Sequence, residues 1–497
     1  MLQLCRGIQN TLLVAVLTLV SPVVQSLSVV TGYWIEVDEV EIPAPAPVSP
    51  KLARDPAESR LLKLNLNQLQ ESLKAGTSTR IRLPDPYGGE VEFVLKPSSV
   101  MPKQLAARYP NIRSFEGVSI HDRSTTVRLE LTSKGLSAQV LTAGERWVID
   151  PVEGLGPEFV RSYRYSKGYQ SKNEPFCELE TSNVLGARSV SKNQFTDKVQ
   201  RGKSTGTSLR TYRLAVATTG EYGAYHGGTI EDALSAVVVT INRVDGIFET
   251  ELAINLELIA ANDDIVFADP LTDPFAGNDN AGTLIDESQA QIDLLIGTEN
   301  YDVGHTLSTG AGGLAGLGVV CREGGKAEGV TGSTRPEGDF FDVDFVAHEL
   351  GHQFAAEHTW NGANGGCGVQ QRATGSAYEP GSGSSIISYA GLCGSDNIAT
   401  AVDALFHHQS FDQIVTYTRE GIGSVCGQAE LLENTAPQVD AGSDYVVPKQ
   451  TPLIVTGSAT DQEQDALLFS WEQRDLGPQA ALTNRDDGRF PLFRMLD

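Results

Sequence analysis

The chain has 497 residues, with 38 lysines and arginines against 63 aspartates and glutamates, a net charge of −25. That excess of negative charge argues against nucleic acid and anionic membranes as partners, and mainly provides a soluble surface. The length predicts two or three domains, each with ample core.

The N-terminus reads as an export signal over residues 1–26. Arg6 supplies its positive charge, residues 11–20 (TLLVAVLTLV) an apolar run, and Val24-Gln25-Ser26 a small-residue cleavage site. The run is too short to span a membrane and no later segment is long enough, so the protein is expected to be secreted, extracellular and not inserted in a membrane. Cys5 leaves with the signal. Cys177, Cys321, Cys367, Cys393 and Cys426 remain, an odd number in an oxidising compartment.

Residues 27–205 are rich in alternating segments. Residues 80–83, 90–95, 126–131 and 147–149 read as half-buried strands. The stretch 189–210 is polar and basic, with Lys198, Arg201, Lys203 and Arg210 and almost no apolar residue. It reads as an exposed linker and the natural place for a maturation cut, which makes the β-rich region before it a propeptide.

The pattern then changes, and residues 206–430 read as a catalytic domain. Residues 212–217 form a strand pattern. Thr229 and Asp232 make a capping-box-like start, after which Ile230, Leu234, Val237, Ile241 and Val244 recur at helical spacing. Leu252, Ile254, Leu256 and Leu258 alternate as a strand, and residues 284–296 repeat as a helix. Strands alternating with helices predict an α/β domain with a mostly parallel sheet.

A third helix is predicted from Asp342 to Phe354, with Val346, Leu350 and Phe354 as its core stripe. It carries His348 and His352, four apart and therefore on one face, where both imidazoles reach one metal ion. Glu349 lies beside them, able to take a proton from a metal-bound water. His358 follows too late for the same face, so the chain must turn back to bring it in. Three neutral nitrogen ligands with one position open describe a catalytic zinc, whereas a structural zinc is closed by a fourth protein ligand. The other five histidines (His121, His226, His305, His407 and His408) read as ordinary polar or core residues.

Residues 431–497 open on the hinge Asn434-Thr435-Ala436-Pro437. Short strand patterns follow at 444–448, 453–456 and 466–471, resembling the start of an immunoglobulin-like sandwich that the remaining length leaves incomplete. Asp461, Glu463 and Asp465 offer oxygen ligands for calcium, though an acidic turn is the better reading.

Over residues 211–428 the chain resembles the metzincin zinc metallopeptidases, in particular the bacterial reprolysin-like (adamalysin-related) family. The segments that carry the resemblance are the zinc motif, YRLAVATTGEY at 212–222, YDVGHTLSTGAGGLAGLG at 301–318, GVTGSTRPEG at 329–338, HTWNG at 358–362, EPGSGS at 379–384 and SYAGLC at 388–393. It implies zinc-dependent hydrolysis of peptide or protein substrates. It also implies disulfides Cys321–Cys426 and Cys367–Cys393, where four half-cystines alone allow three pairings. Residues 312–318 resemble the cleft-edge strand, whose small residues let a substrate backbone pair alongside. Tyr389 stands where some metzincins place a tyrosine that stabilises the oxyanion, with packing in the turn as the alternative.

Three residues depart from the family pattern. Ala355 replaces the glycine between the second and third histidines, Ile387 replaces the methionine of the turn beneath the metal, and Thr359 follows the third histidine where other residues are usual. The first two motivate an alternative, an impaired homologue that binds peptides or acts in adhesion. The intact Glu349 argues for the enzyme. Cys177 is left unpaired in the propeptide shortly before the linker, so it is a candidate inhibitory zinc ligand, its thiolate filling the open position and making the precursor a zymogen. A buried free thiol or a disulfide to another chain is the alternative.

Overall fold

The computed structural model describes residues 29–30, 32–37, 59–73, 78–165, 178–180, 204–310, 312–368, 371–448 and 451–493. The export-signal segment, Cys177 and residues 189–203 of the linker lie outside the described residues.

The first sheet has ten strands: β1 (Val29–Val30), β2 (Trp34–Glu36), β3 (Ser59–Leu64), β4 (Thr79–Pro84), β5 (Glu90–Pro97), β6 (Arg113–Ser119), β7 (Thr126–Thr132), β8 (Gly135–Thr142), β9 (Glu145–Pro151) and β10 (Phe159–Arg164). Their order is β1-β4-β5-β6-β7-β8-β9-β10-β3-β2, antiparallel except for β1 against β4. Short helices α1 (Leu66–Ser72) and α2 (Lys103–Arg108) interrupt it. Tight turns fix the register: Thr142 pairs with Glu145 across Ala143-Gly144, where Gly144 takes the positive φ of 76° that a two-residue hairpin needs. Every second residue faces a core that includes Ile81, Phe93, Leu95, Val127, Leu129 and Leu131. The intervening face is not solvated, contrary to the half-buried reading of residues 126–131. Arg128 and Glu130 are buried too, because a helix of the second unit covers them.

That unit is a mixed α/β layer. Its strands are β11 (Glu178–Glu180), β12 (Ser208–Thr218), β13 (Ile254–Leu258), β14 (Val303–Ser308), β15 (Gly313–Gly316), β16 (Gly329–Gly332) and β17 (Gln428–Leu431). They run in the order β11-β15-β16-β14-β12-β13, with β17 antiparallel to the start of β12. The ladders are parallel apart from β15–β16 and β12–β17. Ser208–Thr218 extends β12 into the expected linker, so Arg210 sits in a strand.

The helices are α3 (Gly220–Tyr225), α4 (Ile230–Leu252), α5 (Ala281–Ile296), α6 (His348–Gln353) and α7 (His408–Arg419). Thr229 caps α4 by accepting the Asp232 N–H. α4 and α6 pack on one side of the sheet through Val237, Ile241, Val346, Leu350 and Phe354. α5 packs on the other through Leu284, Ile285 and Ile292. The third predicted helix is two-part: a wide π-helical segment, Phe340–Ala347, runs directly into α6.

α4 is the partition between the two sheets. Arg128 pairs with Asp245 (3.1 Å) and Glu249 (2.5 Å). Arg243, wholly buried, meets Asp150 (2.6 Å), Asp339 (2.8 Å) and Asp342 (3.1 Å). Arg146 reaches Asp339 (3.2 Å) and Asp344 (3.4 Å).

Beyond β17, β18 (Gln438–Asp440) pairs only with β19 (Ser458–Thr460). The expected strands at 444–448, 453–456 and 466–471 do not form, and no sandwich is present among the described residues. Alternation alone is insufficient there: Val446, Ile454 and Leu468 are exposed, with no facing sheet to bury them. Asp461 accepts the N–H groups of Glu463 and Asp465, which closes the acidic turn upon itself. Among the described residues no helix is long and apolar enough to cross a membrane.

Candidate metal centre

α6 presents His348 and His352 on one face, then stops. Ala355 ends it with a positive φ of 80°, donating its N–H to the His352 carbonyl, and the chain reverses so that His358 returns to the same point. Glycine takes that conformation freely and alanine at a cost of roughly 1–2 kcal/mol.

Each imidazole is oriented by a backbone carbonyl. His348 Nδ1 donates to Ile386 O (2.7 Å), His352 Nδ1 to Ala356 O (2.6 Å) and His358 Nδ1 to Gln371 O (2.9 Å). With the proton on Nδ1, all three Nε2 lone pairs converge, His352 Nε2 lying 3.0 Å from that of His348 and 3.1 Å from that of His358. Three lone pairs facing one another in this way could hold a cation between them, and the spacing is close to the edge of a tetrahedral zinc site with bonds of about 2.0–2.1 Å. Burial keeps the rings neutral. It lowers His348 to about 4 and His358 to about 3, the latter helped by His348, and puts His352 well below its ordinary value. The residues fit a zinc ion.

Glu349 is fully buried beside them. The reason for a glycine at 313 is this carboxylate: a Cβ there would collide with Glu349 Oε1. Ile387 packs against Gly351 of α6, where any Cβ would collide with its Cδ1, so the isoleucine fills the floor beneath the histidines. Tyr389 is buried, its ring 4.6 Å from that of His358 and 5.1 Å from Trp360, and its hydroxyl donates to Gln371 Oε1 (2.5 Å). It is at the site, with both its packing and its hydroxyl engaged.

The family model of Metallo-peptidase family M12B Reprolysin-like matches residues 208–417. Over that stretch, short of half the chain, the sequence is similar to the reprolysin-like metallopeptidases. Among solved structures, metalloproteinase-II from Bacteroides fragilis is similar at 12% identity over 57% of this chain and 82% of that one, with a TM-score of 0.35, too slight a likeness to carry argument. No curated protein matches the sequence.

The structure holds the disulfides Cys321–Cys426 and Cys367–Cys393, the first tying the matched stretch to residues just beyond it. The second packs with Trp360 and Tyr389 under the third histidine. His305 is a core residue, as its isolation in the sequence suggests: Nδ1 meets Gln353 Oε1 and Nε2 meets Thr331 Oγ1, both at 2.9 Å, and burial lowers it to about 4. Its partner Gln353 also donates to Gly304 O (2.8 Å), tying α6 to β14.

His407 and His408 gather with Glu472, the other histidine cluster among the described residues. His407 Nδ1 accepts the Gln409 N–H at the start of α7, its Nε2 lies 3.6 Å from Glu472 Oε2, and His408 Nδ1 contacts the same carboxylate at 3.0 Å.

Sequence reasoning gave no role to Gln371 or Glu379. The only signal for Glu379 was its place at the head of the Glu-Pro-Gly-Ser-Gly-Ser segment.

Proposed function

We propose that the protein is a secreted zinc-dependent endopeptidase made as a zymogen, with residues 1–26 as export signal, 27–205 as propeptide and 206–430 as catalytic domain. The observation that carries this reading is the convergence of three oriented, neutral Nε2 atoms beside a buried carboxylate. Bound to His348, His352 and His358, zinc would lower the pKa of a water towards ~7 and polarise the scissile carbonyl. Glu349, buried beside the ligands, would accept the proton of an attacking water and return it to the leaving amine. Gly313 leaves space for Glu349 and for the peptide backbone, which pairs along the edge of β15. Tyr389 would assist at the oxyanion once its hydroxyl leaves Gln371.

The zymogen reading draws on β11. Glu178–Glu180 lies parallel to β15, with Glu178 opposite Leu314, on the edge that a substrate would use. Cys177 is the residue before it, and its thiolate is proposed as the ligand that holds the precursor silent. Cutting the linker frees this strand.

The test is casein or gelatin cleavage by the linker-cleaved protein. Hydrolysis that stops with a zinc chelator and returns with zinc is expected. A fully metal-loaded, cleaved protein that leaves both substrates intact would refute the assignment.

A further inference from the structure

Two histidines of the metal centre depend on one turn. His348 Nδ1 donates to Ile386 O at 2.7 Å, and Thr359, the residue after His358, donates its N–H to Ile387 O at 3.2 Å. The turn is itself held by a buried carboxylate. Glu379 Oε1 accepts the N–H groups of Ser384 (2.9 Å) and Ser385 (3.2 Å), and Oε2 accepts the hydroxyls of Ser385 and Thr359, both at 2.5 Å. Glu379 and Thr359 are also joined along the backbone, the Glu379 N–H donating to Thr359 O at 2.8 Å. All four residues are buried. Gly383 closes the loop at a φ of 68°, where a Cβ would press on the carboxylate.

We infer that Glu379 is a positioning residue for the metal centre, and that Thr359 is the hydroxyl through which it sets the distance between His348 and His358. The inference rests on the zinc-peptidase reading and deepens it.

The chemistry requires an acceptor with two oxygens. Four donors converge on one side chain, two on each oxygen, and only a carboxylate accepts on both; an amide turns one donor pair against an NH2 group. Hydrogen bonds to a charged acceptor are short and directional, which suits a brace that must not slide. Thr359 is the departure at the position after the third histidine. A carboxylate there would face Glu379 across about one hydrogen-bond length, whereas a hydroxyl donates to it. Groups one shell away from a metal commonly change its affinity by about 10- to 100-fold.

The test uses the full chain in four forms: parent, Glu379→Gln, Thr359→Val and Thr359→Ser. Zinc affinity is read by competition with a chelator, and ligand geometry by the visible spectrum of the cobalt(II)-loaded protein. The expected result is an affinity lowered about 10- to 100-fold, with a changed cobalt spectrum, in Glu379→Gln and Thr359→Val. Thr359→Ser, which keeps the hydroxyl, retains both parent values. Parent affinity and spectrum in Glu379→Gln and Thr359→Val, even with a lower melting temperature, would make the cluster a purely structural one and overturn the inference. Thr359→Val keeps size and shape, so it decides the question if Glu379→Gln fails to fold. A parent that binds no metal would instead refute the zinc-peptidase reading itself.

Discussion

Two buried regions of this molecule remove polar side chains from water and treat them in opposite ways. At the α4 partition, Arg128, Arg146 and Arg243 stay charged because each is met by two or more carboxylates. At the metal centre burial drives the histidines neutral. The contrast teaches what each region is for. Paired charges close a surface and hold two sheets together. Neutral donors aimed at one point leave something still to be bound.

The largest expected effect belongs to the second region. Glu349→Gln keeps the three ligands and removes the proton acceptor, so peptide hydrolysis should fall by roughly 10²–10⁴-fold with zinc still bound. Unchanged turnover of casein by a zinc-loaded variant would assign the base elsewhere.

The first region should answer to loss of a partner. Arg243→Met leaves Asp342 buried without its cation and Asp339 with Arg146 alone, and denaturant unfolding of the full chain should report a loss of about 3–5 kcal/mol. A loss below about 1 kcal/mol would mean that water already reaches the partition.

His305 tests the rule that burial neutralises imidazole, away from the ligands. Its folded value of about 4 lies below the ordinary 6.5, so the neutral form is favoured in the fold. The stability it contributes is fully present above about 6.5 and is lost as pH falls through about 4. Denaturation midpoints at pH 7.5 and pH 5 should therefore differ less in His305→Gln than in the parent. An equal difference in both would contradict the assigned shift.

The smallest effect is expected at the turn between the ligands. Ala355→Gly relieves the positive φ of 80° and adds freedom to the unfolded chain, so the two terms largely offset. Melting curves should show a gain of at most about 1 kcal/mol, with zinc content unchanged. A clear destabilisation would show that the alanine methyl contributes packing that outweighs its strain.

What the sequence could and could not disclose follows the same division. His348, Glu349, His352 and His358 were legible because helical spacing and a metal's demand for convergent donors act over eleven residues. Helix α4 was legible from its cap at Thr229 and its apolar repeat. The partners of α4 were not, because Arg128 and Asp245 are distant in sequence and a charged residue on a strand reads as a solvated face. Glu379 escaped for a similar reason, since its hydrogen bonds join it to Thr359 twenty residues earlier. At 444–471 the error ran the other way. Alternating apolar residues there met no opposing layer, and Val446 and Ile454 remain in solvent.

The central claim is that three neutral histidines converge in order to hold one zinc ion. Metal analysis of the purified full chain, set beside His352→Ala, tests it directly. Close to one zinc per chain is expected in the parent and essentially none in the variant. A parent without zinc after exposure to the ion, or a variant that keeps its full content, would contradict it.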